Sequence, residues 1–491
     1  MVAAPATQPR LSPQQAIAPS QSPFNPISTM TATVPSREQA ETARLLARAK
    51  QIGDEETTRL LARTPESARL FERARRTLPF GVVSSFQKGF PYPVYVSRGQ
   101  GSRIWDQDGT EYLDFHGGFG AMVAGHAHPR IVEAITEVSR RGTHFAVTTE
   151  VAVEFGEEIC RRFNLQMLRF ANSGTEATMD AIRVARAATG RDIVCKIEGS
   201  YHGHHDAVMF SIVPNADVMG GRERPAKAPV SKGLVKDASR YVEVVPFNDA
   251  GQLERLFDEK GKEIACIIME PAMMNIGIVL PDPAYLRRVR ELCTKHGVIF
   301  IYDEIKTGFT IAAGGATERF GVQPDLVCLA KAISGGLPAA AFGGREDLMR
   351  LIEQGVSQMG TYNGNPLVSH VGLVTLREIL TPAAYQHFAT LGKRLTEGCQ
   401  AAIRKHNLPA HTVDLGAKGC VSYRPTPMRN YRDFLDTLPE LFAASYPWLL
   451  NRGIFMTPGD EEQWTLSVQH TAADVDRYVE VFEGFCKAVT A

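Results

Sequence analysis

Two short apolar runs that end on opposite charges constrain the fold of this chain more than any other feature. Val298-Ile299-Phe300-Ile301-Tyr302 runs into Asp303-Glu304, and Leu326-Val327-Cys328-Leu329-Ala330 runs into Lys331, followed by Ser334-Gly335-Gly336. A run that is apolar at every position has no solvated face, so each reads as a strand covered on both sides, the pattern of a parallel sheet between helix layers. Open sheets of this kind hold ligands beyond the C-terminal ends of their strands, so Asp303 and Lys331 are expected to face one crevice. A lysine there can condense with an aldehyde, and a carboxylate can keep a heterocyclic nitrogen protonated. Together these are what pyridoxal phosphate needs to act as an electron sink. A buried salt bridge, or two unrelated strand ends, is the alternative reading of the same pair.

A second segment supplies an anion site. Asn172-Ser173-Gly174-Thr175-Glu176-Ala177 follows the short run Leu168-Arg169-Phe170 and opens a stretch over 178–188 with apolar residues at three- and four-residue intervals. Gly174 lets the backbone approach a ligand, the Ser173 and Thr175 hydroxyls can donate, and a helix N-terminus offers unpaired N–H groups to a phosphate. An ordinary capping box explains the hexapeptide as well.

The rest of the chain builds around these two segments. Between 168 and 350, apolar strands over 192–197, 241–246 and 265–270 alternate with helical stretches such as 285–296, which predicts a doubly flanked parallel sheet. Residues 92–115 alternate apolar and polar between glycine turns, so a small antiparallel sheet is expected there. After Pro366 a helical pattern runs to about Leu380 and leads into a C-terminal α+β segment. The proline-rich residues 1–36 cannot bury a core and read as a disordered leader. Residues 40–50, 55–62 and 66–78 are helical in pattern, for packing on a partner subunit or on the surface. Gly117-Gly118-Phe119-Gly120 has no βαβ frame with an acidic residue ~20 positions on, so it is not read as a dinucleotide loop.

Composition excludes several classes of function. The 54 basic residues are balanced by 54 acidic ones, which leaves no field to attract nucleic acid or an anionic membrane. No apolar stretch approaches the ~20 residues of a membrane span. The eight cysteines are scattered without a C-x-x-C pair, which favours buried reduced thiols in a cytoplasmic protein over a disulfide framework or a zinc site.

Taken in order, six motifs resemble those of the class III aminotransferases: Ser173-Gly174-Thr175-Glu176-Ala177, Tyr201-His202-Gly203, Glu270-Pro271, Asp303-Glu304 with Thr307-Gly308-Phe309, Lys331 with Gly335-Gly336-Leu337-Pro338, and Gly360-Thr361 with Gly364-Asn365-Pro366. The resemblance spans residues 67–487. It is strongest to the branch of glutamate-1-semialdehyde 2,1-aminomutase and the D-phenylglycine and β-amino-acid aminotransferases. It implies an α/β protein of PLP fold type I. A large domain over 121–380 would carry a mainly parallel seven-stranded sheet flanked by helices. A smaller α+β domain would combine residues 67–120 with 381–491, and 37–66 would add extra N-terminal helices. A homodimer with shared active sites is implied as well.

The resemblance also assigns roles. Lys331 and Asp303 are the catalytic pair. Lys331 holds the cofactor and moves the substrate proton, and Asp303 keeps the ring nitrogen protonated. Ser173, Gly174 and Thr175 hold the phosphate, Tyr201 stacks on the ring, and His202 packs or hydrogen-bonds beneath it. Glu270, Asn275 and Ile305 complete the cofactor site, and Thr361 reaches the phosphate of the neighbouring subunit. A metal site at His202, His204, His205 and Asp206 is the competing reading of that cluster, but these side chains point in several directions in any regular structure, and no metal is expected.

For the substrate, Ser85 and Lys88 fall where the aminomutase has a carboxylate-binding segment. Lys88 stands in for its arginine and lacks the bidentate fork. Glu462 aligns with a glutamate near the cofactor. Trp464 replaces a small residue and is expected to fill part of the pocket, and Gly118-Phe119-Gly120 resembles the aromatic-amino-acid branch. The expected activity is transfer of an amino group from a bulky primary amine or an unusual D-, β- or aromatic amino acid to pyruvate or 2-oxoglutarate. The aminomutase is the alternative, followed by a decarboxylase or a non-catalytic binder of the cofactor. Residues 204–236 are expected to close over the substrate.

Overall fold

Seven strands make the central sheet of the computed structural model, which describes residues 37–491. The leader expected over 1–36 lies outside the described residues. In chain order the strands are β1 (Met167–Ala171), β2 (Ile193–Ile197), β3 (Val242–Val245), β4 (Ile264–Met269), β5 (Ile299–Asp303), β6 (Leu326–Leu329) and β7 (Ala340–Gly344). They lie in the order β1-β7-β6-β5-β4-β2-β3. Pairings from β6 through β5, β4 and β2 to β3 are parallel, and β7 runs antiparallel to both its neighbours.

The two-sided apolar pattern has a direct structural counterpart. Cys266, Ile268, Ile301 and Cys328 pack into the layer of the helix Gly174–Thr189. Ile267, Met269, Phe300 and Tyr302 face the helices Ala250–Lys260 and Tyr285–His296 on the opposite side. In β4, β5 and β6, period-two alternation with both faces covered leaves no charged side chain before the strand end.

Strand β7 is not legible in the pattern, because Ala340-Ala341-Phe342-Gly343-Gly344 has no β-branched residue. Its glycines answer to packing. A side chain on Gly343 would run into the Met167 carbonyl, and one on Gly344 into the Asp325 carbonyl.

The ends of the chain meet in a second sheet. Val96–Gln100, Arg103–Asp106 and Glu111–Asp114 are antiparallel, and Ile454–Phe455 adds a parallel strand to the last of them. The hairpin His411–Leu415 and Lys418–Ser422 is extended by Trp464–Thr465.

One helix, Arg37–Arg63, spans the two shorter helical segments read over 40–50 and 55–62, and it docks on its own chain. Gly53 permits close approach to the helix Pro439–Leu450, where an added Cβ would lie 3.4 Å from the Ala444 Cα. Arg63 donates to the Leu450 carbonyl at 3.1 Å, and Arg48 to the Ala488 carbonyl at 3.1 Å. Among the described residues, no helix is long and apolar enough to cross a membrane. All eight cysteines are unpaired, and seven of them are buried.

Candidate active site

The ends of β5 and β6 bring Asp303 and Lys331 to one cavity of about 540 Å³, within the range that holds a cofactor-sized molecule. Lys331 begins a 3-10 turn directly after β6 and has a left-handed φ of 50°. Such a conformation costs a residue with a side chain about 1–3 kcal/mol and persists where the surroundings impose it. Burial, together with the nearby Lys306 ammonium, lowers the Lys331 amine to about 8.

Asp303 is held from two sides. Its Oδ1 accepts the Ile305 amide at 3.0 Å, and its Oδ2 lies 2.7 Å from His202 Nδ1. An ionised carboxylate only accepts, so Nδ1 carries the proton in this contact. His202 Nε2 is buried without a hydrogen-bond partner among the described residues. Glu270 ties together three neighbours: its Oε1 accepts the Tyr201 amide at 3.1 Å, and its Oε2 accepts the Met274 amide at 2.7 Å and Asn275 Nδ2 at 3.0 Å. Burial raises the Glu270 carboxyl above its ordinary value.

The helix Gly174–Thr189 opens with a capping box. Ser173 Oγ accepts the Glu176 amide at 3.3 Å, and Glu176 Oε2 accepts the Ser173 amide at 3.1 Å. The same turn lines the cavity, so the capping box leaves the anion-site reading of this hexapeptide open. Gly174 is needed there, because a Cβ would come within 2.5 Å of Ile305 Cδ1.

This set of groups fits pyridoxal phosphate. Lys331 offers an amine to the aldehyde, Asp303 a carboxylate to the ring nitrogen, and Ser173 with Thr175 offers hydroxyls at a helix N-terminus to the phosphate. Tyr201 supplies an aromatic face in the same wall.

The remaining expected residues divide. Asn275, Ile305 and Glu462 line the cavity. Ser85 and Lys88 do not: both are exposed, and the Lys88 ammonium lies 4.8 Å over the Phe80 ring. The 3-10 turn Ser85–Gln87 presents Phe86 and Gln87 to the cavity instead. Trp464 corrects the sequence reading. It is fully buried, edge-on to Tyr478 at 6.1 Å and over Gly419, so it fills core and leaves the pocket free. Thr361 is exposed and lies outside its own chain's cavity, although its turn is tied to the phosphate loop by Asn172 Nδ2 donating to Asn363 Oδ1 at 2.8 Å.

His202, His204 and His205 turn to Asp303, Thr175 and Thr178 respectively, and among the described residues no group of three is placed to hold a metal ion. The stretch 204–236 is anchored in its middle. Tyr431 donates to the Pro214 carbonyl at 2.7 Å. Arg432, paired with buried Glu198 at 2.8 Å, donates to the Met219 and Gly220 carbonyls. Closure of this whole stretch therefore requires breaking those contacts.

Sequence reasoning missed Lys306 and, of the aromatic mouth, Phe86. Lys306 Nζ donates to the Met274 carbonyl at 2.7 Å and to both oxygens of Glu462 at 2.9 and 2.8 Å. A lysine three residues beyond the Asp303 strand end was the available signal. Phe86 stands edge-on to Tyr201 at 5.3 Å and to Phe119 at 6.1 Å. Among the described residues, no arginine lines the cavity.

The family model described as aminotransferase class-III matches residues 85–437. A glutamate-1-semialdehyde 2,1-aminomutase of Sorangium cellulosum is 40% identical over 423 residues, covering 85% of this chain and 95% of its own. Among solved structures, an omega-transaminase from Sphaerobacter thermophilus superposes with a TM-score of 0.81 at 34% identity, over 87% of this chain and 98% of its own. A glutamate-1-semialdehyde aminomutase from Pseudomonas aeruginosa PAO1 in complex with PMP gives 0.83 at 27% identity, over 90% and 99%.

Proposed function

Since the chain belongs to the class III aminotransferase family, of PLP fold type I, and is a pyridoxal-phosphate-dependent enzyme, we propose that it moves an amino group from a bulky primary amine, or an unusual D-, β- or aromatic amino acid, to a 2-oxo acid such as pyruvate or 2-oxoglutarate. The observation that carries this reading is the cavity mouth. Phe86, Phe119 and Tyr201 offer a wall of aromatic rings, and no arginine fork stands among the described lining residues to demand a carboxylate on the donor.

When bound, pyridoxal phosphate supplies an aldehyde that takes up an amine and a conjugated ring that delocalises the electron pair left by a departing proton. The chain's own residues do the rest. Lys331, with its amine lowered to about 8, would be a base of suitable strength to take the proton from the amine-bearing carbon and hold it for return. Asp303 keeps a proton on the ring nitrogen, and His202 Nδ1, donating to its Oδ2, fixes the carboxylate's direction. Ser173, Thr175 and the helix start hold the phosphate, while Glu270 orients the Tyr201 backbone and the Asn275 amide. Phe86 and Phe119 exclude water from the side where the donor enters.

A second reading, glutamate-1-semialdehyde 2,1-aminomutase, is supported by the 40% identity to the Sorangium protein. An intramolecular exchange needs no oxo acid. Turnover of bulky amines that stops when the oxo acid is omitted supports the aminotransferase. Efficient isomerisation of glutamate-1-semialdehyde with no acceptor present supports the aminomutase.

A further inference from the structure

A lysine stands inside the central sheet, where a charge is costly. Lys196, one residue before the end of β2, is fully buried in a strand covered on both faces. Burying an ammonium is unfavourable unless its N–H groups find acceptors. Three backbone carbonyls receive this one: Phe210 at 2.8 Å, Ser200 at 3.0 Å and Ile197 at 3.2 Å. Burial lowers the amine to about 7, while three oxygens, one for each N–H of an ammonium, favour the charged form. Lys196 does not line the cavity, so its charge is not there to meet a substrate.

The Ser200 carbonyl is the informative acceptor. It belongs to the peptide unit that leads into Tyr201, and the N–H of that same unit donates to Glu270 Oε1 at 3.1 Å. One peptide plane is therefore gripped on one side by a buried amine and on the other by a buried carboxylate. Both grips are anchored elsewhere. Glu270 also holds the Met274 amide and Asn275 Nδ2, and Lys196 is tied to Phe210, which clusters with Val242 and Val244 of β3. Because the peptide unit is planar, holding both its carbonyl and its N–H restrains the two rotations that flank it, ψ of Ser200 and φ of Tyr201. The direction in which the Tyr201 side chain leaves the backbone is fixed as a result.

We propose that Lys196 is a positioning residue for Tyr201: by holding the Ser200 carbonyl opposite the hold of Glu270 on the Tyr201 amide, it sets the aromatic face that Tyr201 turns to the cofactor ring. The inference rests on reading Tyr201 as the residue that stacks on that ring. A lysine that only stabilised the turn would act without regard to the side chain that follows it. A positioning lysine acts on the cofactor through Tyr201, so the two residues behave as one unit.

The test is a double-substitution cycle read by the induced circular dichroism of the holoenzyme's visible band and by the dissociation constant for pyridoxal phosphate, with unfolding in denaturant followed in parallel. Lys196→Met keeps the apolar stem and removes the donors. It is expected to weaken cofactor binding about fivefold or more and to change the induced signal, as Tyr201→Ala does by itself. In the Tyr201→Ala background, Lys196→Met is expected to move neither cofactor readout further, yet still to lower the denaturant midpoint, because unpaired buried carbonyls cost stability whichever side chain follows. If Lys196→Met does not fold, Lys196→Gln, which keeps two N–H donors and drops the charge, carries the same cycle. Equal losses from the Lys196 substitution with and without the Tyr201 ring overturn the proposal. So does an unchanged cofactor signal and affinity in the Lys196 variant when Tyr201→Ala alters them. If Tyr201→Ala by itself changes neither readout, the stacking role of Tyr201 fails and the positioning role falls with it.

Discussion

Lys331 is a nucleophile and a base only when neutral, so the amine's setting decides the working pH range. An amine lowered to about 8 is neutral in about a fifth of molecules near pH 7.4, whereas one at the ordinary 10.5 is neutral in only about one in a thousand. The rate at which the apoenzyme recaptures pyridoxal phosphate is therefore expected to rise with pH through a midpoint near 8. Lys306→Met, by removing a neighbouring positive charge, should move that midpoint upward. A wild-type midpoint at the ordinary lysine value contradicts this setting of the amine. Asp303→Asn is expected to retain the cofactor yet lose kcat about a hundredfold or more, because an amide cannot hold the ring proton; near-normal kcat, measured with saturating cofactor, would refute the role. Asp303, Lys331 and Ser173 to Thr175 are legible in the sequence because strand ends and helix starts announce themselves in the pattern. Lys306 and Trp464 are not, because whether a buried side chain meets a cavity or a core depends on contacts between distant parts of the chain, as in the Lys306–Glu462 pair, 156 positions apart.

At the scale of elements, hydrophobic periodicity locates six of the seven sheet strands, with ends shifted by a residue or two. It fails at β7, where Gly343 and Gly344 are chosen by the closeness of neighbouring backbones, which no local pattern records. The N-terminal helix Arg37–Arg63 is readable as helical, but its partner is not visible from sequence, since the docking surface is the distant helix Pro439–Leu450. Leu60 is 1% exposed against Ile104, Tyr112 and Leu450. Leu60→Ala is therefore expected to cost about 2–4 kcal/mol, seen as an earlier midpoint in denaturant at an unchanged slope. A helix that merely lies on the surface would give no measurable change.

For the whole molecule, the shared active site that the family resemblance implies would link assembly to reaction. Met359 and Tyr362 are 85% and 61% exposed beside Thr361, on the turn whose Asn363 reaches the phosphate loop. Large apolar side chains displayed next to a cofactor loop call for cover, and a second copy of the chain is the occupant the family resemblance implies. Sedimentation is expected to give a dimer or larger, and Thr361→Ala to loosen cofactor retention without separating the subunits; a fully active monomer would rule out the shared site. Intermolecular transfer is tested most directly by the dependence of turnover on an added oxo acid. With a bulky primary amine as donor, we expect amino-acid product to form with pyruvate or 2-oxoglutarate and to stop after a single turnover per active site without them. Glutamate-1-semialdehyde alone should turn over poorly. Sustained multiple-turnover isomerisation of the semialdehyde in the absence of any oxo acid would contradict intermolecular transfer.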